Sequence, residues 1–286
     1  MKNILVTGCN GQLGNEMQLL ATGYPEFNYF FTDVKELDIT DENAVKSFVK
    51  TNGIDCVVNC AAYTAVDKAE ADEAFCNILN HIAPGYLAKA VHEQGGCMIQ
   101  VSTDYVFDGT THIPYREEEP TCPATVYGRT KLAGEEAVMR NCPESVIIRT
   151  AWLYSTFGNN FVKTMLRLGR EKESLGVIFD QIGTPTYARD LATAIFAVLT
   201  QDFVPGIYHF SNEGAISWYD FTKAIHRIAA ITTCKVRPLH TEEYPAPAAR
   251  PHYSVLDKTK IKETYHIDIP YWEDSLTECI QKLEQN

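Results

Sequence analysis

Tyr127 and Lys131 stand at i and i+4 in the run Tyr127-Gly128-Arg129-Thr130-Lys131, so a helix beginning there sets a phenol and an ammonium on one face. That pair suits the reduction of a ketone. Hydride arriving at a carbonyl carbon leaves an alkoxide that needs a proton. A phenol with its ordinary pKa of about 10 is a poor shuttle at neutral pH. A neighbouring ammonium favours the phenolate and brings the two protonation states closer in energy. Upstream, Val101-Ser102-Thr103-Asp104-Tyr105 reads as the end of an apolar strand running into polar residues. Thr103 is expected to hydrogen-bond and polarise a carbonyl oxygen, with Ser102 as its rival, and Asp104 to position a substrate hydroxyl. Capping or turn formation would use the same polar residues, and a plain surface helix the same Tyr and Lys. Context decides between these readings.

That context begins at the N-terminus, where Lys2-Asn3-Ile4-Leu5-Val6 runs into Thr7-Gly8-Cys9-Asn10-Gly11-Gln12-Leu13-Gly14. Gly8, Gly11 and Gly14 suit a tight turn, a close backbone approach to pyrophosphate and close helix–strand packing. The helix that follows presents free amides and a partial positive charge to a diphosphate. A dinucleotide cofactor is therefore expected. Asp33, about 20 residues further on, ends the second strand, where a carboxylate binds adenosine ribose hydroxyls. It leans the reading toward NADH, while Lys35 offsets its charge, so NADH and NADPH both stay open. Asp38 and Ile39 are weaker candidates beside the adenine. Asn59-Cys60-Ala61-Ala62-Tyr63 closes the third strand with small residues that let the backbone lie against a cofactor, or that simply suit tight packing.

Short apolar strands and helical patterns alternate through this half. Strands are expected at Ile4–Thr7, Asn28–Thr32, Cys56–Cys60, Cys97–Ser102 and Val146–Arg149, and helices at Gly14–Thr22, Asp41–Thr51, Val66–Gln94 with a break near Glu73, and Lys131–Arg140. Thr40 or Asp41 could cap the second helix. This rhythm predicts an α/β fold, a doubly wound parallel sheet covered on both faces, with a smaller C-terminal lobe for substrate. Helical patterns continue at Phe161–Arg170, Arg189–Leu199, Trp218–Ala230 and Ser275–Leu283. The expected partition gives residues 1–150, with about 177–203 returning, to the cofactor domain, and 151–176 with 204–286 to the substrate lobe.

The chain has 286 residues, 37 acidic against 25 basic, for a net charge of −12. That balance argues against nonspecific binding to nucleic acid or anionic membranes, though basic residues in one pocket could still hold an anionic substrate. No apolar run approaches the roughly 18–20 residues of a membrane span, and no signal stretch precedes the first strand, so a cytoplasmic protein is expected. The nine cysteines show no CxxC and the eight histidines no HExxH. Buried, reduced thiols are the expected state, and no metal site is expected. Assembly as a homodimer is left open.

Gly8–Gly14, Asn59–Glu70 (NCAAYTAVDKAE), Ser102–Gly109 (STDYVFDG) and Tyr127–Gly134 (YGRTKLAG) together resemble the extended short-chain dehydrogenases. Arg149–Tyr154, Gly158–Leu168, Asp180–Thr186, Ser217–Asp220 and Ala249–His252 extend the likeness to the branch that reduces the 4-keto group of a dTDP-deoxysugar, making dTDP-L-rhamnose for surface polysaccharides. The resemblance implies Thr103, Tyr127 and Lys131 as the catalytic trio, Tyr127 being the proton donor. It implies cofactor contacts at Gly11, Gln12, Leu13, Asp33, Asp38, Ile39, Ala62, Tyr63 and Thr64, and sugar-nucleotide contacts at Thr103, Asp104 and Trp152. Lys163 and Arg250 are the candidates for the substrate diphosphate, Arg by its bidentate grip. Some relatives are described with an acidic metal site at subunit contacts. Arg189 stands in the corresponding stretch here, which speaks against a metal. Two other functions compete. One is an epimerase or dehydratase of a related sugar nucleotide, which recycles its hydride. The other is a non-catalytic, cofactor-binding subunit of the kind that regulates methionine adenosyltransferase.

Overall fold

The computed structural model describes residues 1–285. Five strands, β1 (Lys2–Thr7), β2 (Phe27–Thr32), β3 (Cys56–Asn59), β4 (Cys97–Thr103) and β5 (Ser145–Thr150), join the strand Gly206–His209 in one sheet. Its order is Gly206–His209, β5, β4, β3, β1, β2, and every neighbouring pair is parallel. β3 and β5 are buried along their whole length, as runs of Val and Ile covered on both faces require. Helices α1 (Gln12–Ala21), α2 (Glu42–Thr51), α3 (Val66–Ala69), α4 (Glu73–Asn77), α5 (Ala83–His92), α6 (Val126–Asn141), α7 (Phe161–Glu171), α8 (Ala188–Thr200) and α9 (Trp218–Ile228) follow in chain order. α1 and α8 cover one face of the sheet, and α2, α5 and α6 the other. The doubly wound fold expected from the sequence is present.

Because β1 lies between β2 and β3, the direction of winding reverses at the β1–β3 neighbourhood. A crevice opens there beyond the carboxyl ends of the strands, the usual ligand position of such sheets. Asp41 caps α2, accepting from the amides of Asn43 and Ala44. Thr125 caps α6 through the Gly128 amide at 3.0 Å. That cap starts α6 at Val126 and seats Tyr127 in the first turn. The expected long helix after Val66 is split into α3, α4, a five-residue π-helical segment Ile78–Ile82, and α5.

The second lobe holds three two-stranded sheets. Ser174–Ile178 pairs with Lys235–Leu239, Ile182–Gly183 with Ile216–Ser217, and Leu153–Tyr154 with Thr186–Tyr187. Its core gathers Tyr154, Val162, Phe221, Trp272 and Leu276 from α7, α9 and the helix Trp272–Gln285. Val177 and Ile178 are zipped to Pro238 and Leu239. Ile207 and Tyr208 extend the central sheet beside Ile147 and Ile148. No helix among the described residues is long and apolar enough to cross a membrane.

Candidate active site

The turn after β1 is shaped by two glycines. Gly8 has φ +64°, and a Cβ there would lie 2.7 Å from the Ala61 backbone nitrogen. A Cβ on Gly14 would lie 2.4 Å from the Gly8 carbonyl, so no side chain fits and α1 can close onto the turn. α1 begins at Gln12 with no side-chain cap on its amides, which leaves them for an anion. Leu13 is buried in the core and offers a ligand only its backbone. Asp33 accepts from the Asn10 amide at 3.1 Å and the Val34 amide at 2.8 Å, so this carboxylate braces the glycine turn as well as facing the groove. That groove, about 470 Å³, is lined by Gly8, Gly11, Asp33, Asp38, Ile39, Ala61 and Ala62 among others. Asp38 takes the Thr40 hydroxyl at 2.6 Å and its amide at 2.9 Å. These bonds hold its carboxyl below the usual range. Lys35 is exposed beside Asp33.

Sequence reasoning missed Asn80. It sits in the π-helical segment, buried, and holds the backbone of Tyr63 at both ends. Its Oδ1 accepts from the Tyr63 amide at 2.8 Å and its Nδ2 donates to the Tyr63 carbonyl at 3.0 Å. Ala61 and Ala62, which line the groove, are followed by this fixed Tyr63 and an exposed Thr64. The single signal in the chain was an Asn set inside an otherwise apolar helical face, which spacing alone does not separate from a helix break.

At the carboxyl end of β4, Thr103 is buried and its hydroxyl donates to Asp104 Oδ1 at 3.0 Å while accepting from the Tyr105 amide at 3.2 Å. Ser102, the rival for the carbonyl-polarising role, has a buried hydroxyl without a partner among the described residues. Asp104 is 2% exposed, and its Oδ2 is likewise unpartnered. Burial pushes its carboxyl up to about 6, with the nearby hydroxyls of Ser254 and Thr103 acting the other way. Tyr127, half-buried, has its ring edge-on to Tyr105, with centroids 5.5 Å apart. Burial drives the phenol well above its ordinary pKa, with the nearby Thr103 hydroxyl acting the other way and the charge of Asp104 adding to the rise. Lys131 is 4% exposed. Its ammonium donates to the Val101 carbonyl at 2.6 Å, and burial lowers it to about 8, with Glu135 acting the other way. Thr103, Asp104 and Tyr127 thus converge, with Lys131 anchored on β4 behind them. The ammonium expected to lower the phenol instead faces a main-chain oxygen.

The remaining substrate candidates separate. Trp152 adopts φ +46°, an unusual conformation for a bulky residue, and its ring stacks on Trp218 at 3.5 Å and 11°. Arg250 grips Asp67 in a bidentate pair, 3.0 and 2.8 Å, and donates to the Ala248 carbonyl. The same Asp67 accepts from the Ala248 amide at 3.2 Å, so the 248–250 segment is latched onto α3 across the crevice. Lys163 lies elsewhere. Its ammonium donates to the Gly158 carbonyl at 2.9 Å, in a loop that Asn160 ties to Gln12 at 3.0 Å. Arg189 faces Glu278 at 3.7 Å, where the resemblance put acidic ligands.

A family model described as the RmlD substrate binding domain matches residues 1–285. The dTDP-4-dehydrorhamnose reductase of Salmonella typhimurium is 41% identical over 284 residues, spanning 95% of this chain and 94% of its own. The crystal structure of a dTDP-4-dehydrorhamnose reductase from Clostridium acetobutylicum superposes with a TM-score of 0.95 at 44% identity, over 99% of both chains. That of Bacillus anthracis, solved in complex with NADP, gives 0.94 at 38% identity, over 99% of this chain and 100% of its own. Sequence and fold match over nearly the whole of each chain, and the chain belongs to the dTDP-4-dehydrorhamnose reductase family.

Proposed function

We propose that this chain is an oxidoreductase of dTDP-L-rhamnose biosynthesis that reduces the 4-keto group of dTDP-4-dehydro-L-rhamnose with NADPH or NADH. The observation that carries the reading is the convergence of Thr103, Asp104 and Tyr127 at the mouth of the sheet, beside an uncapped helix terminus and a glycine turn. A cradle that no Cβ could enter at Gly8 or Gly14 fits a diphosphate, with Asp33 and Asp38 at the ribose and adenine end. When bound there, the nicotinamide supplies the hydride. Tyr127 keeps its proton in the closed site and releases it to the sugar alkoxide, a stronger base than a phenolate. Thr103 and Ser102 offer hydroxyls to the ketone oxygen. Thr103's proton is held by Asp104, so protonation of Asp104 frees it for the substrate. Lys131, anchored on the Val101 carbonyl one helical turn from Tyr127, would supply a positive charge to the site and hydrogen bonds to the nicotinamide ribose. Arg250, released from Asp67, and Trp152 serve the sugar nucleotide, and Lys163 a phosphate near Gln12. The cytoplasm, where reduced cofactor and sugar nucleotides meet, is the compartment this activity calls for.

The test is coupled synthesis of the 4-keto-rhamnose nucleotide in the presence of the chain and NADPH or NADH. Stoichiometric loss of the nicotinamide absorbance with dTDP-L-rhamnose as product supports the reductase. Turnover without net cofactor consumption indicates an epimerase or dehydratase, and cofactor binding without turnover a regulatory subunit.

A further inference from the structure

α6 carries a third ionisable residue in step with the catalytic pair. Tyr127, Lys131 and Glu135 follow one another at intervals of four on the face turned to the sheet. Lys131 reaches β4 at the Val101 carbonyl. One turn on, Glu135 reaches β5, where Arg149 donates through Nε to both carboxylate oxygens at 3.0 and 3.2 Å and through Nη2 at 2.7 Å. Both side chains are buried, 1% and 2% exposed. Arg149 is further fixed beneath the Phe107 ring, 5.1 Å from its centroid, and it is the register partner of Ser102.

A buried ion pair rarely adds net stability, because desolvation offsets the attraction, and an apolar pair of similar volume does as well. Retaining one here calls for another use. We propose that Glu135, held by Arg149, is a positioning residue for the reduction, fixing the turn of α6 that carries Lys131 and placing a carboxylate one helical turn from its ammonium. This inference rests on the reading of Lys131 as part of the reductase site. The groups that face the ammonium are Glu135 from α6, Cys76 from α4, and the Val101 carbonyl from β4, with Arg149 of β5 behind Glu135. Of these, Glu135 is the foremost group that favours the protonated amine against burial.

The test is the pH dependence of kcat in two variants. Glu135→Gln leaves Arg149 unpaired and is expected to be less stable, so Glu135→Leu combined with Arg149→Met supplies an apolar replacement of similar volume that folds. Thermal melts and NADPH binding establish that each variant is native. The expected result is a basic limb of kcat displaced by about one unit to lower pH in whichever variant is folded, roughly a tenfold loss of rate above the limb, with NADPH affinity within a few-fold of wild type. A basic limb unchanged in position, with only a lower melting temperature or a uniformly lower kcat, overturns the proposal and leaves the pair structural. Lys131→Met separates the two levels. If it turns over with the wild-type limb, the reading of Lys131 fails. If it abolishes the limb while Glu135 variants leave it in place, only the role of Glu135 fails.

Discussion

Asp104→Asn gives a stability difference that depends on pH in a way the structure determines. The carboxyl is 2% exposed and pushed up to about 6 by burial, from an ordinary value of 3.8. Between those values the folded chain holds a proton that the unfolded chain has released, so stability falls as pH rises through that window and is level above it. From pH 4.5 to 7.5 the loss from this one group is about 2 kcal/mol. Asparagine cannot ionise and removes that slope, whatever constant offset its amide brings. Urea unfolding of the cofactor-free protein at several pH values measures it. The stability of the variant relative to wild type should rise by about 2 kcal/mol between pH 4.5 and 7.5. Parallel curves would refute the burial argument and, with it, the view that Asp104 controls the Thr103 proton.

Tyr127→Phe should bind NADPH almost normally and lose roughly 10²–10⁴-fold in kcat, the usual scale for one acid–base group; single-turnover kinetics with the 4-keto nucleotide check it. Arg250→Ala should raise KM for the sugar nucleotide by roughly 10- to 100-fold, the scale of a lost charged hydrogen bond, with kcat little changed. It should also loosen the 248–250 segment from Asp67, read by faster amide exchange there. His209 is buried, and burial, then the Arg149 charge, lower it to about 3. Its contribution is present above pH 6.5 and is lost as pH falls towards 3, so wild type should shed about 4–5 kcal/mol that His209→Gln does not, measured by acid-range unfolding.

The sequence showed what is local. β1 to β5 were legible because each is a short apolar run between turns, aromatic in β2 and carrying Val or Ile in the others, and the glycine turn because its three glycines sit next to such a run. Tyr127 and Lys131 were legible by spacing. What escaped depends on partners far along the chain. Arg250 looked free for phosphate, but its carboxylate partner Asp67 is 183 positions away. Glu135 gains its partner only when β5 brings Arg149 under it. Gly206–His209 is too short and too mixed in composition to announce that it completes the central sheet, and Asn80 gains its role only because a π-helical turn points it at Tyr63.

The central claim is hydride delivery to one carbon of one sugar nucleotide, with the proton from Tyr127. The direct measurement uses NADPH deuterated at the transferred position of nicotinamide C4, the enzymatically made 4-keto-rhamnose nucleotide, and proton NMR of the product. The account predicts one deuterium at sugar C4 in dTDP-L-rhamnose from wild type, at a rate Tyr127→Phe cannot approach. Product with hydrogen at C4, or equal rates from the two proteins, would contradict it.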